Sequence, residues 1–183
     1  MPPPLLVAFA GGSRGQWHVT RCEAVDGAGL PVADRLAVIE GPVQANLADA
    51  VWVLRGVTSN ERYVERAERE ALVARQPPLG RPESSRAALI PIRKSAEWWE
   101  LTQDKRRDIF EDRSHHIATG LAHLPAVARR LHHGRDLSEP FDFLTWFEYA
   151  PTDAAGFEEL VGRLRATPEW HYVEREIDIR LER

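Results

Sequence analysis

Apolar residues in the first half of the chain fall into short runs of strand character, at residues 5–10, 16–25, 36–40 and 50–57. Gly11-Gly12 and Asp26-Gly27 separate them as turns. Beyond them Thr58, Ser59 or Asn60 caps a helix that the spacing predicts over residues 61–75, ended by Pro77-Pro78. Residues 87–92 then read as a buried strand. The second half opens on a helical region, with Thr102 as the N-cap of one helix running to about His123. Residues 127–133 and the aromatic run 141–149 read as extended. Thr152 or Asp153 caps a further helix, in which Phe157, Leu160, Val161 and Leu164 fall at i, i+3, i+4 and i+7. In the last strand, 172–181, Val173, Ile177, Ile179 and Leu181 share one face, opposite Glu174, Glu176, Asp178 and Arg180.

Each half therefore ends in strand, helix, strand, with another strand beforehand. That order predicts an α+β fold of two tandem ferredoxin-like units, antiparallel sheets covered by helices. The expected boundary divides residues 1–95 from residues 96–183.

Composition narrows the function classes. The 183 residues are 43% hydrophobic and 28% charged, ordinary for a globular chain, and suffice for one domain or two small fused ones. A net charge of −4 with no basic tail argues against nucleic acid as a partner. Cys22 is the only cysteine, which excludes a disulfide framework and a thiolate metal cluster. The N-terminal residues lack a basic n-region, and no apolar run approaches the roughly 20 residues of a membrane span. The expectation is a cytoplasmic protein without a membrane partner. Gly-x-Gly-x-x-Gly, Walker, Gly-x-Ser-x-Gly and His-Glu-x-x-His motifs are all missing.

The candidate chemistry centres on the run from Arg113 to Trp146, with Lys94 before it and Glu169 after it. In a continuous helix, His115 shares its face with Asp108, Glu111 and Asp112, while His116 shares a more apolar one with Ile109, Gly120 and His123. Gly120 costs a helix about 1 kcal/mol relative to alanine, and close approach of a flat ligand would account for it. Strand alternation puts Val127, Arg129 and Leu131 on one face and Arg130 and His132 on the other. A guanidinium on an apolar face needs a carboxylate or a bound anion. Spacing alone leaves both readings open: a core histidine and a buried ion pair, or a ligand and an anion site. Glu169 either pairs with Lys94, one of only two lysines, or accepts the N–H of a ligand histidine. His132 and His133 diverge on a strand and cannot chelate together. Trp98-Trp99, Trp146 and Trp170 read mostly as core.

At these residues the chain resembles the chlorite dismutase family, in particular its short, dimeric branch. The matching text is Leu89-Ile90-Pro91-Ile92-Arg93-Lys94-Ser95, Trp98-Trp99, Arg113-Ser114 before His116, Leu124-Pro125 before Arg129, residues 141–148 and Glu169-Trp170. It covers roughly residues 50–181. The resemblance implies a homodimer of the dimeric α+β barrel type, with haem b in the C-terminal unit. His116 is then the proximal ligand of the iron, thirteen residues before the distal, catalytic Arg129. Glu169 is the carboxylate bonded to the ligand histidine, and Lys94 stands beside it. Ile90 and Gln76 line the distal side or its mouth, and Asn60, Tyr63 and Trp98 contact the haem and its propionates. The extra histidine, His115, departs from the family pattern. The implied reaction converts chlorite to chloride and dioxygen, with Arg129 retaining the hypochlorite intermediate. A haem peroxidase or porphyrin decarboxylase on the same fold is the alternative, as is a cofactor-free barrel that binds small ligands.

Overall fold

The computed structural model describes residues 4–42, 47–58 and 66–183. Its strands are β1 (Leu6–Gly12), β2 (Trp17–Asp26), β3 (Arg35–Glu40), β4 (Ala50–Thr58), β5 (Arg86–Lys94), β6 (Ala128–His133), β7 (Phe143–Tyr149) and β8 (Val173–Glu182). They close into a barrel in the order β1-β3-β2-β8-β5-β7-β6-β4, every pair antiparallel. Within the ring, β4-β1-β3-β2 and β8-β5-β7-β6 each follow the 4-1-3-2 order of a ferredoxin-like sheet.

The two sheets differ in what joins their strands. In the second, β5 leads to β6 through α2 (Ala96–Glu100), α3 (Gln103–Arg107) and α4 (His116–Ala122), and β7 leads to β8 through α5 (Ala154–Arg165). In the first, β1 passes to β2 across residues 13–16 alone, too short for a helical crossover. β2 meets β3 only at Trp17↔Leu36 and His18↔Arg35, then runs along β8 and closes the barrel. A helix α1 (Arg66–Arg75) follows β4; residues 61–65 of the expected helix, and the cap candidates Ser59 and Asn60, lie outside the described residues. β5 pairs on both edges with strands of the second sheet. The sheets therefore part between β4 and β5, ahead of the expected boundary at residue 95.

Alternation along the strands builds two cores. Phe9, Trp17, Leu36, Leu89, Trp146 and Ile179 fill the barrel interior, whereas Ile90, Ile92, Phe147, Phe157 and Val161 pack the outer face of the second sheet against its helices. Strands buried on both faces lose the apolar–polar alternation, which is why β5 and β7 read as near-continuous apolar runs. The β5–β8 ladder is interrupted at Pro91, which has no N–H to give. A register shift then pairs Lys94 with Val173. This changes one expectation: Val173 joins the outer core, while Ile177, Ile179 and Leu181 face the interior. Most of the polar face of β8 is buried as well. Glu176, Asp178 and Arg180 are buried under α5, bonded to Arg165 and Glu158, because the helix brings its own charges to meet them.

His132 points into the barrel, fully buried, its ring edge-on to Phe9. The lack of a side chain at Gly56 makes room for it; a Cβ there would sit 2.6 Å from the His132 Cβ. Its Nδ1–H donates to the Leu144 carbonyl, and Nε2 accepts from Arg130. Burial first, then the Arg130 and His133 charges, hold its pKa down at about 4 against the Leu144 contact. The unfolded chain takes this proton near 6.5, so between those values it binds more protons than the folded one. Stability from this residue is present above about 6.5 and lost as the pH falls towards 4, by up to about 3 kcal/mol. Urea midpoints measured across this window should fall steeply for the wild type and less for His132→Gln. Parallel curves would exclude His132 as the source.

Candidate functional site

A mostly apolar cavity opens between the outer face of the second sheet and helices α4 and α5. One wall is strand: Ile90, Ile92 and Lys94 of β5, Arg129, Leu131 and His133 of β6, and Phe143 and Phe147 of β7. The other wall is helix and turn, and includes His116, Gly120, His123, Glu169 and Trp170.

The helix expected from Thr102 to about His123 is broken where it matters. After α3 the chain forms a π-helical turn, Asp108–Arg113, and His115 then adopts a left-handed conformation (φ 51°) as the N-cap of α4. Glu111 stabilises the break. Its buried carboxylate accepts the Ile117 N–H at 2.6 Å and the Ala118 N–H at 3.2 Å, two donors that a helix start leaves unpaired. The kink turns His115 out to solvent and His116 into the cavity. The continuous-helix reading thus separated the two histidines on faces that do not exist; the break separates them instead. The sequence places Glu111 on the His115 face but carries no sign of its capping role, because its partners lie six and seven residues ahead, beyond capping-box spacing.

Around His116 the side chains form a chain of contacts. Its ring stacks on Phe110, with centroids 4.4 Å apart. Nδ1 lies 2.7 Å from Glu169 Oε2, and Lys94 Nζ donates to Glu169 Oε1 at 2.7 Å. The Lys94 and Glu169 side chains are 1% and 4% exposed, so each charge depends on the other for compensation. Ser114 Oγ accepts the Glu169 backbone N–H at 3.0 Å and fixes the carboxylate's approach. Burial alone would raise the Glu169 pKa, but the His116 and Lys94 charges and hydrogen bonds outweigh it and hold it at about 2. An ionised carboxylate only accepts, so the proton between it and His116 sits on Nδ1. That leaves Nε2 as the ring nitrogen with a lone pair to offer a ligand. Lys94 also lies over the Trp98 ring at 4.4 Å and the Trp170 ring at 5.6 Å.

Arg129 stands on the strand wall of the same cavity. Its backbone carbonyl accepts a hydrogen bond from the Gln76 side chain, which pins this part of β6 to the segment after α1. Arg130 turns the other way and pairs with Glu40 at 2.7 Å. The structure therefore brings His116, Glu169, Lys94, Trp98, Ile90 and Arg129 to one cavity, with Gln76 bonded behind it. Asn60 and Tyr63 lie outside the described residues. A Cβ at Gly120 would meet nothing within 4 Å, so α4 leaves open space just beyond His116. Among the described residues no group of three or more His, Cys, Asp or Glu side chains is placed to hold a metal ion, and none of their helices is long and apolar enough to cross a membrane.

Fold and site together define an α+β barrel protein with an apolar pocket beneath its second sheet, one of whose histidines, His116, is bonded to a buried carboxylate. The chain belongs to the chlorite dismutase family, whose model matches residues 37–181. It is similar to the dimeric chlorite dismutase of Nitrobacter winogradskyi, with 59% identity over 97% of this chain and 99% of that one, and a TM-score of 0.90. A chlorite dismutase variant from Candidatus Nitrospira defluvii shares the fold, at 19% identity and a TM-score of 0.70 over 98% of this chain and 91% of that one. The chlorite dismutase of Ideonella dechloratans is 37% identical over 86 residues, which make up 47% of this chain and 28% of that protein's length.

Proposed function

We propose that this protein is a haem b-dependent chlorite dismutase, active as a homodimer, converting chlorite to chloride and dioxygen. The observation that carries the reading is the pairing of walls: a carboxylate-bonded histidine on one side of the cavity, a cavity-facing arginine on the other. The donor set fits haem. Three imidazoles line the walls, but among the described residues no three ligating side chains gather as a protein-only metal site needs; a single ligand histidine suffices where a porphyrin supplies the other ligands. The open space beside Gly120 suits a flat group lying against α4.

Bound haem would supply a redox-active iron with one coordination position left for chlorite. The rest is the work of the chain. His116 would hold the iron through Nε2. Glu169 keeps the proton on Nδ1, fixes the tautomer and raises the ring's donor strength. Lys94 balances Glu169, so the carboxylate orients the imidazole without becoming an unpaired buried charge. Arg129 stays cationic at any working pH and presents a donor fork to chlorite and to the chlorine oxyanion released from it. A charge-assisted contact of roughly 1.5–3 kcal/mol slows escape of that anion by about one to two orders of magnitude. Ile90, Leu131 and Phe147 keep water from competing for it.

The test is direct. Protein incubated with haemin should develop a Soret band that saturates at one haem per chain, and an oxygen electrode should record dioxygen release on adding chlorite. A Soret band with dye oxidation by peroxide but no dioxygen from chlorite would favour a peroxidase. No Soret band would leave the cofactor-free binding module.

A further inference from the structure

β8 carries a carboxylate that the pairing of walls leaves unused. Glu176 lies on the cavity side of the strand, 1% exposed beneath α5. Its two oxygens are divided between two partners. Oε1 accepts from Arg165 Nε at 2.8 Å and Nη2 at 2.5 Å, and Oε2 accepts the Trp170 indole N–H at 2.8 Å. Arg165 is held in turn by Asp178 at 2.8 Å, so the carboxylate is clamped from behind.

Trp170 directly follows Glu169, and its ring closes one side of the Lys94 ammonium while Trp98 closes another. Lys94 reaches His116 through Glu169. An apolar residue at position 176 would fill the space under α5 equally well. It would leave the indole N–H without its acceptor and the ring free to turn. Water could then reach Lys94, weakening the contact that holds Glu169 in place.

We propose that Glu176, through Trp170, is a positioning residue for the Lys94–Glu169–His116 chain. It fixes the face of the indole that shields Lys94, and thereby the geometry of the hydrogen bond at His116 Nδ1. The consequence for iron rests on the haem reading; the positioning itself does not.

The experiment begins with haem-free, 15N-labelled protein, following hydrogen exchange at the Trp170 indole N–H and the His116 ring N–H. Glu176→Leu should speed exchange at both sites by tenfold or more. Trp170→Phe, which keeps a ring but has no N–H, should speed it at His116 by threefold or more. Glu176→Gln, which can accept from the indole only by turning its NH2 towards Arg165, should fall between wild type and Glu176→Leu. Unchanged exchange at His116 in both Glu176→Leu and Trp170→Phe would overturn the proposal, since Glu176 would then only anchor an indole. In haem-loaded protein, the ferrous iron–histidine stretching band should shift in the same order among the variants. A wild type that takes up no haem would end the functional reading and leave the exchange data to decide this one.

Discussion

His116→Ala is expected to fold yet to purify with almost no haem. The variant removes the one imidazole whose Nδ1 is committed to a buried carboxylate and whose Nε2 is left to coordinate. Lys94 and Glu169 remain paired at 2.7 Å, so no buried charge is stranded and the barrel should survive. Loss of an outer-shell partner such as Glu169 would cost roughly 10–100-fold in affinity, and loss of the ligand itself should cost more. Haemin titration followed at the Soret band gives the ratio. His115→Ala, which removes a solvent-facing ring, should titrate as wild type. If His116→Ala binds haem normally and His115→Ala does not, the ligand assignment is wrong.

Arg129→Ala should keep its haem and lose most dioxygen release, with faster bleaching as oxidant leaks from the cavity. The expected fall is about one to two orders of magnitude, matching the roughly 1.5–3 kcal/mol of a charge-assisted contact. Arg129→Lys should be intermediate, because an ammonium keeps the charge but not the planar fork. Initial rates on the oxygen electrode, with the Soret absorbance recorded in parallel, separate catalysis from loss of cofactor. A rate within twofold of wild type and no added bleaching would remove Arg129 from the mechanism.

The sequence made some of this site legible and not the rest. β6 alternates as expected, so Arg129 faces the cavity and Arg130 meets Glu40 on the other side. The α5 stripe of Phe157, Leu160, Val161 and Leu164 is buried as its spacing requires. α4 was misread because helical periodicity carries no mark for a π turn or a left-handed residue held by a distant carboxylate. On β8, a run of Glu, Asp and Arg reads as a solvent face until a helix arrives with Arg165 and Glu158 to neutralise it.

By itself the sequence determined the strands, most of their apolar faces and the residue types able to do chemistry, although Gly11-Gly12, expected as a turn, ends β1 as paired strand. These follow from backbone preference and side-chain period, which act over a few residues. The tertiary structure alone decided that β5 belongs to the second sheet, that the helix breaks at His115, and that Lys94, Glu169 and His116 form one chain of contacts. Lys94 and Glu169 are 75 residues apart in sequence, and Glu169 and His116 are 53 apart. Only closure of the barrel and docking of its helices bring those groups together, and only in that dry setting must two buried charges and an imidazole satisfy one another.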